Sequence, residues 1–535
     1  MNNHGQWEVV PIYEAKAANQ RLIGTRFVDV NKGDSDNPDV RSRLVAQDTR
    51  SASSIQGNSS VETFAATPPL EGLRLLFALH MTHSQSLESH VLSFLDIKKA
   101  HLLPLIDRDV YLRLPPEAGL QEGMCAKLKY SLYGLRDAGR LFDDFMESIF
   151  RELGFRPGVY STSVYFHPKT KLRVFKYGDD LVCSGARGDI NDLVTELSQR
   201  MTIKVRMTLG LRPDLGDVKE ASILNRIVRL ASDPAHGNEV VNRGRYRGQD
   251  GGWRLELEAD PRHIEILANQ VGLDRPGTKG VVSPGLKRTI LSADSPELPT
   301  TARGVYRSAA MRANYLAHDR LDIQFACKEL ARHMNSPRAV HFEELKRLVR
   351  YLLHAPRLIM SFPREAPSST LIQLVDSDWA GCLDTRRSTG CSVAMLGSAC
   401  LMTTSTTQSL QALSSGEAEF YSSVRGASLG LGLVSLAADF GVVLKLRLRI
   451  DASASIGVCN RKGAGRIRHI ATRTLWLQHH VARGAIEISK IEGTVNSADL
   501  GTKHLDGNKI GPLLQLVNMR TATGRPKGAP KTLLV

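Results

Sequence analysis

Apolar and polar positions alternate in short bursts at the start of the chain. Residues 7–12, 22–30 and 43–46 carry the two-residue period of strands lying on a core, and Asn31-Lys-Gly-Asp predicts a turn. Residues 47–62, rich in Ser, Asn, Gln and Gly, predict a loop. The period then lengthens: Leu70, Leu73, Leu76 and Phe77 share one face of a helix predicted over 68–90. A continuous apolar run at 91–97 predicts a buried strand, 140–153 an amphipathic helix, and 171–184 a strand, tight turn and strand. Gly- and Arg-rich 234–252 predicts an exposed loop, and 306–353 a helical region with basic polar faces. The segment Ser361-Phe-Pro-Arg-Glu-Ala-Pro-Ser-Ser-Thr predicts a linker, followed by an α/β unit over 371–510 and a basic tail expected to be disordered. No internal repeat is visible.

Composition narrows the classes. A chain of 535 residues is longer than one core needs, and its hydrophobic and charged fractions are those of a folded protein. Lys and Arg number 70 against 55 Asp and Glu, a net charge of +15. That excess attracts a polyanion, with counterion release as the driving force, although a basic protein without such a partner has the same composition. Cysteines at 125, 183, 327, 382, 391, 400 and 459 show no zinc-ligand spacing, which predicts reduced thiols in a reducing compartment. Met1-Asn-Asn-His lacks the regions of a secretory signal. The most apolar stretch, 429–446, is broken by Asp439 and Lys445 and predicts a buried helix and strand rather than a membrane span.

Candidate chemistry lies in two sets of carboxylates. In Lys171-Leu-Arg-Val-Phe-Lys-Tyr-Gly-Asp-Asp-Leu-Val-Cys a strand runs into Tyr177-Gly178-Asp179-Asp180 and another leaves it. Adjacent carboxylates repel unless a cation lies between them, and Mg²⁺ prefers such hard oxygen ligands. A solvated Asp-Asp turn is the plain alternative. Asp96, ending the apolar run before Ile97, either caps its strand or faces a site. The second set is Asp376 after Leu371-Ile-Gln-Leu-Val, Glu417 and Glu419 in Ser-Ser-Gly-Glu-Ala-Glu, Asp451 after a strand, and Asp499 in Asn-Ser-Ala-Asp-Leu-Gly-Thr-Lys. Four acids at strand ends and on a helix can converge on two divalent ions. Ser414 and Glu417 have capping-box spacing, which favours Glu419 as the ligand, beside an apolar stripe of Phe420, Val424, Ala427, Leu431 and Val434. Asp376 is favoured over Asp378 because it directly follows its strand.

Taken in order, several segments resemble the copia-type reverse transcriptase family. They are Arg43-Leu-Val-Ala, Glu62-Thr-Phe-Ala-Ala, Phe94-Leu-Asp-Ile-Lys-Lys-Ala, Asp109-Val-Tyr-Leu-Arg-Leu-Pro-Pro, Lys129-Tyr-Ser-Leu-Tyr-Gly-Leu-Arg and Tyr177-Gly-Asp-Asp. Downstream, Tyr306-Arg-Ser, Ala313-Asn-Tyr-Leu-Ala, Arg320-Leu-Asp-Ile-Gln-Phe-Ala and Leu345-Lys-Arg-Leu-Val-Arg-Tyr-Leu continue it. Asp376-Ser-Asp-Trp-Ala-Gly, Arg387-Ser-Thr-Gly, Leu413-Ser-Ser-Gly-Glu-Ala-Glu, Arg468-His-Ile and Ala498-Asp-Leu-Gly-Thr-Lys resemble the family's RNase H. The resemblance covers about residues 6–510.

The resemblance implies an α+β right-hand polymerase of fingers, palm and thumb, followed by an α/β RNase H-like domain. Expected bounds are 1–290 for fingers and palm, 291–360 for a helical thumb or connection, 361–370 for the linker, 371–510 for the RNase H-like domain and 511–535 for the tail. It implies an RNA-directed DNA polymerase that copies element RNA and hydrolyses the RNA of the hybrid. Asp96, Asp179 and Asp180 would hold one pair of Mg²⁺ (or Mn²⁺) ions, and Asp376, Glu419, Asp451 and Asp499 another. Arg43, His101, Tyr177 and Gly178 would face the substrate, Arg43 at the incoming triphosphate, although an ordinary surface arginine fits that position too. Implied partners are an RNA template, a DNA primer, the RNA–DNA hybrid, dNTPs and the rest of a Pol polyprotein, with no membrane. The implied setting is cytoplasmic retrotransposon particles, with the nucleus as the alternative.

Two positions depart from the family pattern. His101 stands where the family has an aromatic ring that excludes ribonucleotides. Asp137 stands where it commonly has Gln, and a carboxylate near a triphosphate is repelled unless it turns away. These departures frame the competing expectation: a degenerate or domesticated nucleic-acid-binding copy without polymerase activity, or an RNase H acting alone.

Overall fold

Strands form where the two-residue period is clearest. The computed structural model describes residues 5–31, 38–49, 62–66, 68–82, 86–232, 252–465, 467 and 469–526. Most of the expected turn at 31–34 and of the loops at 47–62 and 234–252 lies outside the described residues. The chain divides into two compact units, residues 1–69 with 93–206, and residues 70–92 with 207–535.

The first unit is built on two sheets. Its strands are β1 (Trp7–Pro11), β2 (Leu22–Asn31), β3 (Val40–Ala46), β4 (His90–Ile97), β5 (Tyr111–Arg113), β6 (Met124–Leu128), β7 (Arg156–Pro157), β8 (Val164–Phe166), β9 (Arg173–Tyr177), β10 (Asp180–Ala186) and β11 (Ile203–Leu209). One sheet has the order β1-β6-β5-β2-β3, with Trp7, Ile23, Leu44, Leu112 and Leu128 in its core. The other has the order β11-β4-β10-β9-β8-β7. The first strand stops at Pro11, and Ile12–Ala17 is a short helix, which the alternation did not predict. Its Ala, Glu and Lys residues are good helix formers, and proline cannot donate to a continuing ladder. The amphipathic helix is Ala138–Glu152, and Leu141, Phe142, Met146, Ile149 and Phe150 form its buried stripe. Gly134 approaches Ala46 so closely, at φ +86°, that a Cβ there would lie 2.2 Å from the Ala46 carbonyl.

The second unit holds two more sheets and a helical core. Its strands are β12 (Glu220–Ile223), β13 (Arg226–Ser232), β14 (Trp253–Ala259), β15 (Arg357–Pro363), β16 (Thr370–Ser377), β17 (Thr389–Leu396), β18 (Ala399–Thr407), β19 (Lys445–Ile450), β20 (Ile486–Lys490) and β21 (Met519–Ala522). One sheet runs β12-β13-β14-β15-β21 and is antiparallel. The other runs β18-β17-β16-β19-β20, with β16, β19 and β20 parallel and β17 and β18 antiparallel. The helical region is three helices, Thr300–Ala317, Leu321–Arg332 and Ala339–His354, packed through Tyr306, Ala309, Ala313, Leu345, Leu348 and Leu352. The apolar stretch 429–446 is the end of the helix Ser415–Asp439 and the start of β19. Among the described residues no helix is long and apolar enough to cross a membrane.

Three expectations are corrected. The helix expected over 68–90 is Leu70–His80; beyond it the chain turns polar, and the Thr82 hydroxyl bonds back to the Leu79 carbonyl at 3.0 Å. The expected linker is not free at its start: Ser361, Phe362 and Pro363 end β15, and Phe362 is fully buried edge-on against Phe77. Its Pro and Ser content masked one large apolar anchor. The tail is ordered further than its basic composition suggests. The helix Gly507–Gln515 and β21 bury Leu513, Leu514, Val517 and Met519, and β21 pairs with β15.

One buried charge cluster ties this unit together. Asp319 accepts from Arg74 at 3.0 Å and from Arg226 at 2.9 Å, and all three side chains are almost wholly buried. Removing one member of such a cluster leaves buried charge uncompensated. Asp319→Ala is therefore expected to lower stability by about 3–5 kcal/mol, read as a shifted midpoint in urea unfolding.

Candidate active sites

The β9–β10 hairpin places the first carboxylates. Tyr177 pairs with Asp180, so Gly178 and Asp179 form a two-residue turn, with Gly178 at φ +60° and open space around its Cβ position. The neighbouring β4 carries Asp96, and the Ile97 N–H donates to the Asp179 carbonyl at 2.9 Å. Sheet order thus brings Asp96 alongside Asp179 and Asp180. Burial raises the Asp180 carboxyl above its ordinary value; Arg206 opposes this, and Asp179 and Asp96 add to it. Arg206 on β11 spans two of the acids: its guanidinium pairs with Asp96 and, at 3.2 Å, with Asp180. No local pattern marks Arg206, since Lys204, Arg206 and Thr208 are all polar positions on one face of an alternating strand.

Two of the expected substrate residues, Tyr177 and Gly178, lie in this hairpin, and the other two, Arg43 and His101, both lie against Tyr133. Arg43 is exposed on β3, 5.7 Å from the Tyr133 ring centre. Burial raises the Tyr133 phenol, Arg43 lowers it, and Asp179 adds to the rise. Tyr177 is exposed. His101 is half-buried, edge-on to Tyr133 and Phe142 at 5.7 Å each, with Nδ1 3.3 Å from the Ala138 carbonyl. Asp137 does turn away. It is fully buried and bound by Arg108 through two contacts of 2.7 and 2.9 Å, and that guanidinium also holds Asp48 at 3.1 Å. The pair holds the Asp137 carboxyl below its ordinary value against the opposing effect of burial.

The second set converges more tightly. In parallel β16 and β19, Leu374 stands opposite Arg449, so Asp376 and Asp451 follow at the same sheet edge. The helix Ser415–Asp439 supplies Glu419. Its buried face follows the expected stripe only in part: Phe420 and Ala427 are buried, as are Ser422, Ser423, Gly426 and Gly430, while Val424, Leu431 and Val434 are half-buried. Small residues let the helix lie close. A Cβ on Gly426 would come 2.3 Å from Val375, and the Ser422 hydroxyl donates to the Asp376 carbonyl at 2.7 Å. Among the described residues, Asp376, Glu419 and Asp451 are the one group of three or more His, Cys, Asp or Glu residues whose ligand atoms all lie within 4.8 Å of one another, and Asp499 stands outside it.

The surrounding residues sort the other acids. Glu417 begins the helix: Ser414 accepts its N–H at 3.2 Å, and its carboxylate binds the Leu413 N–H, Tyr421 and His469. Asp378 accepts the Thr389 N–H and belongs to its loop. Asp499 lies beside Asp376 and pairs with Lys503 at 2.7 Å. Thr502, not foreseen, donates to Asp376 at 2.5 Å. Glu419 accepts the Ser377 N–H at 3.2 Å through one oxygen, while its other oxygen is buried without a partner.

Such crowding favours protons or cations. Burial, with Asp376 and Asp451, pushes Glu419 up to about 9, and burial, with Asp499, pushes Asp376 to about 7. A buried oxygen without a partner, in an all-oxygen donor set, fits a hard divalent cation such as Mg²⁺. Both carboxyls bind protons more tightly in the fold than in the unfolded chain. Their contribution to stability is complete below the ordinary values of 3.8 and 4.5 and is lost as pH rises through about 7 and 9. In chelator, the melting temperature is expected to fall between about pH 5 and pH 9. Glu419→Gln should flatten the upper part of that fall, and saturating Mg²⁺ should shrink it in the unsubstituted chain; a slope indifferent to both would contradict the assignment.

Residues 6–215 match the family described as reverse transcriptase (RNA-dependent DNA polymerase). The chain is 25% identical over 516 residues to the retrovirus-related Pol polyprotein from transposon RE1 of Arabidopsis thaliana, covering 94% of this chain and 32% of that protein. It is 25% identical over 515 residues to the RE2 counterpart from the same plant, covering 94% of this chain and 32% of that protein. To the Pol polyprotein from transposon TNT 1-94 of Nicotiana tabacum it is 24% identical over 539 residues, covering 97% of this chain and 37% of that protein. The chain therefore spans about a third of the length of these relatives. Residues 6–215 thus form a reverse transcriptase domain, and the likeness to Pol polyproteins of copia-type retrotransposons from two plants runs along nearly the whole chain.

Proposed function

We propose that the chain copies RNA into DNA at Asp96, Asp179 and Asp180 and hydrolyses the RNA of the resulting hybrid at Asp376, Glu419, Asp451 and Asp499. The gathering of Asp376, Glu419 and Asp451 within 4.8 Å is the observation that carries the nuclease half. The position of Asp96 beside the Asp179–Asp180 hairpin supports the polymerase half. In this reading the sheet β11-β4-β10-β9-β8-β7 is the palm, the sheet β1-β6-β5-β2-β3 the fingers, and the three helices between 300 and 354 the thumb or connection. The sheet β18-β17-β16-β19-β20, with its crossing helix, is the RNase H-like domain.

Each acid set would hold a pair of Mg²⁺ ions, with Mn²⁺ as a substitute, and the ions when bound supply charge neutralisation for phosphoryl chemistry. The chain's own groups position the reactants. Arg43, exposed beside Tyr133, would bind the triphosphate of an incoming dNTP, and His101 would border its sugar. Gly178, with no side chain, and exposed Tyr177 leave room for the primer end. In the nuclease, Lys503 and Thr502 fix Asp499 and Asp376, so the acids keep their places before substrate arrives. The hybrid would be read by its shape and its 2′-hydroxyls. The setting this implies is a cytoplasmic particle.

The test is dTTP incorporation on an oligo(dT)-primed poly(rA) template with Mg²⁺, together with cleavage of a labelled RNA–DNA hybrid. Asp179→Asn should cut incorporation at least about 100-fold and spare cleavage, and Glu419→Gln should do the reverse. Folded protein that cleaves but never incorporates would leave a nuclease alone. His101→Phe should lower ribonucleotide incorporation about tenfold relative to deoxyribonucleotides, measured as a ratio of kcat/KM values.

A further inference from the structure

The polymerase carboxylates already have a cation, and it belongs to the chain. Arg206 pairs with both Asp96 and Asp180. Those two acids come from different strands, and Asp179 and Asp180 adjoin each other in the turn, so without a counter-charge the cluster repels itself. A guanidinium cannot lose its proton, so its charge leaves the acids only when the side chain moves. That motion is open to it. The Arg206 side chain is 42% exposed on β11, which is an edge strand of its sheet.

We propose that Arg206 is a displaceable counter-ion of the polymerase site, which closes over Asp96 and Asp180 in the absence of a divalent cation and must swing out before the cation binds. The inference rests on the reading of these acids as metal ligands. Arg206 is a positioning residue here: it keeps the acids together without metal and sets the metal concentration at which the site loads. Metal affinity is then reduced by the fraction of molecules in which the arginine is closed. Two partly exposed ion pairs favour the closed state several-fold, no more. A lysine could reach only one acid at a time, because it lacks the fork.

The probe is Mn²⁺ alone, titrated by electron paramagnetic resonance into the full chain carrying Asp376→Asn and Glu419→Gln, which silence the second acid set. Asp179→Asn added to this background is the control. A Mn²⁺ site that the control loses supports the reading of the acids; if no such site exists, that reading fails and the inference with it. Given the site, Arg206→Gln should bind Mn²⁺ about fivefold tighter, and Arg206→Lys should fall between it and the parent. The melting temperature supplies the second readout. In chelator Arg206→Gln should melt below the parent, because the acids then face each other unpaired, and saturating Mn²⁺ should close the gap. Unchanged affinity at an intact site, or a melting difference that Mn²⁺ does not alter, overturns the proposal.

Discussion

Carboxylates held together repel each other, and both acid sets in this chain are arranged around that cost. In the second unit the repulsion is met partly by protons, since Glu419 and Asp376 are pushed far above ordinary carboxyl values. Thr502 and Lys503 hold the neighbouring acids, while one Glu419 oxygen stays buried without a partner. In the first unit the repulsion is met by a guanidinium from an edge strand. The same physical problem has two solutions, and they differ in exposure. Glu419 and Asp376 are more deeply buried than Asp96 and Asp180, and burial is the largest cause of their raised values, whereas at Asp96 and Asp180 a forked guanidinium reaches both acids at once.

The backbone accepts constraints to bring these acids together. Asp376 and Asp451 converge because β16 and β19 are parallel, so their ends fall on one sheet edge. Glu419 reaches them because the helix above carries serine and glycine where a larger side chain would hold it off. The loss of helix propensity at Gly426 and Gly430 is a local cost of close packing. In the first unit the two-residue turn at Gly178–Asp179 does the corresponding work, presenting two consecutive acids beside β4.

Asp137 shows how a residue can look wrong from its neighbours in the chain and be right in space. In sequence it is a carboxylate beside the expected triphosphate position. In the fold it is fully buried against Arg108, 29 residues earlier, within a cluster that includes Asp48. A buried charge with a two-point partner is structural, so this departure from the family pattern carries no argument against polymerase chemistry. His101 is different: it is half-buried, edge-on to Tyr133 and Phe142, and its proposed part in sugar selection rests on that placement.

What the sequence determined by itself is what short-range periodicity can encode. The hairpin at 171–184, the strand that carries Asp96, the amphipathic helix expected over 140–153 and the S-x-x-E cap at Ser414 all follow from spacings of two to four residues. The ordered motifs carried the family. Long-range partnership was decided only in the tertiary structure. Arg206 with Asp96, Arg108 with Asp137, Thr502 with Asp376 and Phe362 with Phe77 join residues 29 to 285 apart. The end of β15 was hidden because Pro and Ser dominate residues 361–370, and the ordered start of the tail because Arg520, Arg525, Lys527 and Lys531 colour the whole stretch while Leu513, Leu514, Val517 and Met519 fix its place. Periodicity says which face of an element is apolar; only packing says which face, and which charge, it meets.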